Sequence, residues 1–256
     1  MQTHKGKKDG LLSTRQIVII GILGAITVVL GLTPLGFVPI GPLNATTMHI
    51  PVLVAAFLEG PVVGGFVGLI FGLSSLFNAI TRPTPISIVF YNPLISILPR
   101  VLLGIVSYYL YAGFRKIDGN ALKKVGILCW IGALAFLLRG LWGNISAGEY
   151  GASFFLNIFF LLLSAGLFYG MWKSESKSAA VVLAAFVSTI FHSAMVMSGI
   201  YIFFAEEFVK GVGASMEVVN TVIFGTIITS GVPEGILAAI ITTGVVTARL
   251  ASIKKK

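Results

Sequence analysis

Charge is what this sequence has least of. Asp, Glu, Lys and Arg make up 11% of its 256 residues, less than half of the roughly 25% usual in soluble domains. A chain so poor in charge cannot cover itself with a solvated surface, which excludes an ordinary soluble globular domain. Cysteine is nearly absent as well: the single Cys129 excludes an internal disulfide and a cysteine-based zinc site. No Gly-x-x-x-x-Gly-Lys-Ser/Thr segment occurs, so the chain has no P-loop with which to bind ATP itself. Low-complexity tails are missing too. The 30 glycines and 10 prolines are spread along apolar stretches, which argues against disorder.

What the sequence does hold is hydrophobic. Apolar side chains make up 56% of it and the mean hydropathy is +0.98. The +9 net charge would point to nucleic acid in a soluble protein. Here the basic residues fall in short segments between apolar runs, so the bilayer is the better explanation and no nucleic-acid partner is expected. The chain reads as an integral membrane protein.

A helix needs about 20 apolar residues to cross the hydrocarbon core. Candidate spans are 14–32, 47–59, 61–79, 93–114, 122–142, 152–172, 179–205 and 217–250. The basic segment before Ile17 and the long run to Leu32 could form a signal peptide, but no Ala-x-Ala site follows, so a retained first helix is expected. The second span is short and must tilt little, thin the bilayer or lean on extended chain inside a protein-lined cavity. Pro233 is expected to bend the last. Fourteen of the 18 basic residues (Lys5, Lys7, Lys8, Arg15, Arg115, Lys116, Lys123, Lys124, Lys173, Lys177, Arg249 and Lys254, Lys255, Lys256) then share one face of an eight-span arrangement. The positive-inside rule makes that face, and both termini, cytoplasmic. The connections 33–47 and 81–92 on the opposite side are proline-rich and semi-apolar, and are candidates to fold back as lids.

Polar groups inside hydrocarbon are costly, about 2.5–3.5 kcal/mol for a central charge on insertion scales. The outer halves of the spans nevertheless hold Asn44, Thr46, Thr47 and His49; Ser74, Ser75 and Asn78; Tyr91, Asn92, Ser96 and Arg100; Ser198 and Tyr201; and Asn220, Thr226 and Ser230. His192 and Glu234 fall near mid-depth. One-sided polarity implies an outward cavity for a small polar molecule. The candidate substrate contacts are Asn44, Thr46, Thr47, His49, Asn78, Tyr91, Asn92, Arg100, His192 and Asn220. Arg100 is the sharpest: its guanidinium can clamp a carboxylate with two parallel bonds, or serve a structural pair with Glu234 or free carbonyls beside Pro99. His49 and His192 have no third partner at zinc-like spacing, so no metal is expected. Gly21 and Ala25, four apart on the first span, and Gly64, Gly65, Gly68 and Gly72 on the third permit close helix approach.

Catalysis is not expected. Gly151-Ala152-Ser153 with His192 resembles an intramembrane serine protease only loosely, because Phe154 stands where a small residue is wanted. Glu206-Glu207 lacks the arginine four residues on, where Gly211 stands.

The ordered segments GFVPIGPLNATTMHIPVLVAAFLEGPVVGGFVGLIFGLSS, LPRVLLGIVSYYLY, STIFHS and GVPEGILAAI resemble the substrate-binding S component of energy-coupling factor (ECF) vitamin transporters, over roughly 14–115 and 179–250. The resemblance implies an all-α, six-helix transmembrane bundle in a bacterial plasma membrane, without cofactor or catalysis. Such a bundle binds a vitamin near its outer side, covers it with two loops, and docks a scaffold subunit carrying two ABC ATPases. By the same resemblance Gly21 and Ala25 occupy the docking position, with Gly in place of the usual first alanine. Residues 116–178 depart from the family pattern as two inserted apolar segments in a single membrane domain. The stretches Asn44 to Pro51 and Thr81 to Pro85 look most like pantothenate-type members, with hydroxymethylpyrimidine the second choice. The competing class is a stand-alone secondary transporter coupled through Glu234.

Overall fold

The structure, a computed structural model, describes residues 12–40, 43–173 and 176–254. It is a polytopic helix bundle that has, among the described residues, seven helices long and apolar enough to cross a membrane and one shorter apolar helix. The chain runs through α1 (Thr14–Leu32), a short hairpin of β1 (Phe37–Ile40) and β2 (Leu43–Thr46), α2 (Ile50–Glu59) and α3 (Pro61–Thr81). It continues through α4 (Pro93–Ser96), α5 (Leu98–Phe114), α6 (Gly119–Ala147), α7 (Ala152–Lys173), α8 (Ser176–Gly211) and α9 (Val219–Lys254).

The start of α1 is fixed by a capping box: the Ser13 side chain accepts the Gln16 N–H, and the Gln16 side chain accepts the Ser13 N–H. One α1 face is buried through Gly24, Thr27 and Gly31. A Cβ at Gly24 would lie 2.5 Å from Ile70 Cδ1, and one at Gly31 would lie 2.4 Å from Met48 Cε, so both glycines let α3 and the hairpin base approach. Gly21 and Ala25 are exposed on the other side of the helix.

The 33–47 connection is more ordered than a loop. Phe37 pairs with Thr46 and Ile40 with Leu43 in antiparallel register. The Thr47 N–H donates to the Gly36 carbonyl at 3.1 Å, closing the base. The chain then enters α2, only 10 residues or about 15 Å long. Eight of those ten residues are buried, which explains how so short a helix can stand in the middle of the bundle: its ends meet protein rather than lipid. It ends at Gly60, whose φ of 98° suits glycine, and Pro61 opens α3. Arg15 pairs with Glu59, tying the start of α1 to the end of α2.

The α3 glycines form the seam expected of them. Cβ atoms at Gly64, Gly68 and Gly72 would come within 2.6 Å of the Gly104 carbonyl, 2.2 Å of the Arg100 carbonyl and 2.7 Å of Ile97 Cα. The two backbones therefore touch, and α5 is seated where α3 dictates. The 93–114 span is interrupted at Ile97, beside Pro99, into α4 and α5. Pro233 lies inside an uninterrupted α9, whereas the non-helical residue is Phe204, in α8.

The region expected as two inserted segments forms two full helices. α6 begins at Asp118, whose carboxylate accepts the Asn120 and Ala121 N–H groups, and it ends at left-handed Gly148. α8 and α9, 36 residues each, run beside one another through the core. Chain direction puts the end of α1, the hairpin, the end of α3, the start of α5, the end of α8 and the start of α9 at one end of the bundle. The start of α1 and the end of α9 lie at the other.

Candidate substrate-binding cavity

A cavity of about 460 Å³ opens at the hairpin end of the bundle, within the range of small-molecule sites. Its walls follow helical arithmetic. Phe71, Ser75, Asn78 and Arg82 come from α3 and the residue after it; His192, Ser193 and Val196 from α8; and Thr226, Ser230 and Glu234 from α9. Spacings of three and four keep each set on one helix face. Arg100 enters from α5, Thr46 and Met48 from the hairpin and its exit, and Thr84, Ser87 and Phe90 from the 82–92 connection. That connection is braced by the Thr84 N–H, which donates to Ser87 Oγ at 2.8 Å.

Arg100 is 6% exposed. One guanidinium nitrogen, Nη1, donates to the Ile95 carbonyl, and the cationic carbon lies 5.4 Å from the Phe71 ring centre and 5.5 Å from that of Phe90. The aromatic faces stabilise the buried charge and fix the plane of the fork. Glu234 lines the same cavity, but the ion pair weighed for it with Arg100 is not formed. Among the described residues the salt bridges are Arg15–Glu59 and Lys210–Glu206. Glu234 Oε1 instead accepts the Thr46 backbone N–H at 2.7 Å. A guanidinium and a carboxyl group thus share one small cavity without touching.

Three further polar atoms belong to this wall. Arg100 Nε, His192 Nδ1 and Asn78 Oδ1 are buried without a hydrogen-bond partner among the described residues, although Asn78 Nδ2 donates to the Gly31 carbonyl at 3.0 Å. An unmade bond of this kind costs about 1–3 kcal/mol, a cost carried by residues that line the cavity although these three atoms themselves have almost no surface open to it. The walls also carry apolar surface from Phe71, Val196, Met197 and Phe208. The site therefore suits a molecule that is anionic at one end, carries hydroxyl or amide groups, and has an aliphatic part.

The structure brings Thr46, Asn78, Arg100 and His192 together at the cavity and places Thr47, His49, Tyr91, Asn92 and Asn220 outside its lining. His49 is fully buried behind the wall, with Nε2 3.2 Å from Thr189 Oγ1 and its ring 6.4 Å from that of His192. No third metal-ligating residue joins them among the described residues. Thr47 donates its hydroxyl to the Leu35 carbonyl at 3.0 Å. The Asn92 side chain caps α4 by accepting the Leu94 N–H at 2.9 Å. Tyr91 is 45% exposed outside the wall, and Asn220 is exposed on the first turn of α9. Asn44 stands on β2 opposite Pro39; its side chain is outside the described residues. Phe71, Phe90 and Met197 were not anticipated. The signal for Phe71 is its spacing of four before Ser75 and seven before Asn78 on the same face.

Comparison with known proteins bears out the resemblance over the first part of the chain. Residues 15–138 match the family described as "ECF transporter, substrate-specific component", a match that runs from α1 into α6. Two curated relatives are similar over shorter stretches. The "Pantothenic acid transporter PanT" of Lactococcus lactis subsp. cremoris (strain MG1363) is 30% identical, covering 34% of this chain and 56% of that protein. The "Pantothenate transporter PanT" of Leuconostoc mesenteroides subsp. mesenteroides is 30% identical, covering 49% of this chain and 64% of that protein. The matches thus span less than two thirds of either relative.

Proposed function

We propose that this chain is the membrane-embedded, high-affinity substrate-binding subunit of an ECF-type vitamin importer, and that its substrate is pantothenate. The observation that carries the reading is the cavity itself: a buried, aromatic-braced Arg100 without a carboxylate partner, across from Glu234 and a set of hydroxyls. Pantothenate offers a carboxylate to the guanidinium, an amide and two hydroxyls to the polar wall, and a dimethyl group to Val196, Met197 and Phe208. The names of the two relatives support the same substrate.

In this reading the chain is one membrane domain, with a core of 14–115 and 179–250 and an added pair within 116–178. The cavity faces outward from a bacterial plasma membrane and both termini are cytoplasmic, as the clustering of basic residues at the opposite end supports. The chain performs no chemistry. It hands its cargo inward by docking a scaffold subunit with two ABC ATPases, and the exposed Gly21 and Ala25 of α1 form the docking face.

The test is native mass spectrometry of the detergent-purified protein from rich medium, followed by calorimetric titration of the ligand-free protein. A co-purifying mass equal to pantothenate, with tight rebinding, is the expected outcome. A clean protein mass and no heat with pantothenate would overturn the substrate assignment.

A further inference from the structure

The helices α6 and α7 are joined to the cavity by one line of buried contacts. Trp130 of α6 is fully buried and heads the largest such side chains among the described residues. Its indole Nε1–H donates to the Ser164 carbonyl of α7 at 2.8 Å, locking the two helices together. The other side of the junction is Phe186 of α8, whose ring centre is 5.0 Å from that of Trp130. Phe186 lies in turn against the backbone of α9 at Gly235, where a Cβ would come within 2.7 Å of Phe186 Cδ2. The residue before that glycine is Glu234, whose carboxylate accepts the Thr46 N–H of β2. A second seam fixes the height of the pair, since a Cβ at Gly126 would lie 2.9 Å from Met171 Sδ and 3.4 Å from Leu183 Cδ1.

Protein interiors are close-packed and transmit displacement rather than absorb it. A Trp130 side chain shortened to an aliphatic one leaves space behind Phe186. The ring can then move off Gly235, and the short bond between Glu234 and the hairpin loses its support. A helix pair that merely rode on the lipid-facing side would need no fully buried indole wedged between three helices.

We propose that the α6–α7 pair is a strut for the cavity, with Trp130 as a positioning residue that holds Glu234 in reach of the hairpin. The strut acts through Phe186 and Gly235 and touches no ligand. It concerns the interior of this chain alone, so it stands or falls independently of the substrate.

The experiment is hydrogen–deuterium exchange on the full chain in nanodiscs, without added vitamin, read at the peptide containing Thr46. Glu234→Ala and Trp130→Leu should each speed exchange there by about fivefold, the factor expected from one ordinary hydrogen bond. The double variant should be no faster than Glu234→Ala, because both act on the same bond. Trp130→Phe, which keeps a ring against Phe186, should stay near the parent rate. Gly235→Ala, which pushes Phe186 from the opposite side, should behave like Trp130→Leu and replaces it if that variant does not fold. Unchanged exchange at Thr46 in both Trp130→Leu and Gly235→Ala overturns the proposal. So does a double variant whose effect is the product of the single ones, or an equal loss of protection throughout α1 to α3. Failure of the parent protein to bind pantothenate would refute the substrate and leave this result untouched.

Discussion

Glu234 on α9 and Thr46 at the end of β2, 188 residues apart in the chain, are joined by a 2.7 Å bond from the Thr46 backbone N–H to the Glu234 carboxylate. The bond fastens the hairpin over the cavity and commits one carboxylate oxygen, while Arg100 faces the same space without a carboxylate partner. Charge is thereby kept available to a ligand on the arginine side.

Arg100→Ala should lower pantothenate affinity by at least tenfold, the scale of a lost charge-assisted bond of about 1.5–3 kcal/mol, with expression unchanged. Arg100→Lys should not restore it, because an ammonium cannot reproduce the flat fork held between Phe71 and Phe90. Isothermal titration checks both. Unchanged affinity in Arg100→Ala would make the residue purely structural.

Tyr91→Ala and Asn220→Ala should leave affinity within about twofold of the parent, since additivity errors for sites without shared partners are of that size. Tyr91 stands outside the wall and Asn220 is exposed. A large loss in either would mean that the cavity closes over a wider footprint when occupied, and the same titration would reveal it.

Gly68→Ala should destabilise the protein. The added Cβ would sit 2.2 Å from the Arg100 carbonyl, and main chain cannot yield as a side-chain tip can; overpacking of this kind costs about 1–3 kcal/mol. Thermal unfolding in detergent measures it. Gly132→Ala, with open space at the Cβ position, is the control and should be neutral or slightly stabilising.

Gly21→Leu and Ala25→Trp should preserve vitamin binding by the isolated chain and abolish uptake by cells carrying the whole importer. No atom lies within 4 Å of a Cβ at Gly21, so the added bulk harms nothing inside the bundle. Persistent uptake of labelled vitamin would remove these two residues from the docking face.

The spans were legible because a bilayer imposes a length and an apolar composition that the sequence displays directly. The short α2 was legible as an anomaly, though not its remedy: strands of four residues such as Phe37–Ile40 and Leu43–Thr46 are too brief to show a period. In the cavity, Arg100, His192, Asn78 and Thr46 stood out as polar groups in apolar surroundings. Phe71 and Phe90 did not, because an aromatic ring beside a guanidinium is written with the same letter as one facing lipid. Asn92 is absent from the cavity lining for a local reason: its side-chain oxygen is engaged in capping α4. Asn220 is on the first turn of α9, six residues or about 9 Å along the axis before Thr226, the first residue of that helix to line the cavity.

The glycine seam between α3 and α5 makes one half of the cavity a datum and the other half a variable. Where backbone rests on backbone, no exchange of side chains can shift Arg100 without prising two helices apart, so the place of this guanidinium in the cavity is inherited with the fold. The opposing surfaces on α8, α9 and the hairpin meet through side chains and can be rewritten one residue at a time. A lineage of such proteins changing its preferred ligand would be expected to diverge there first, keeping the arginine and re-tailoring the surfaces across from it.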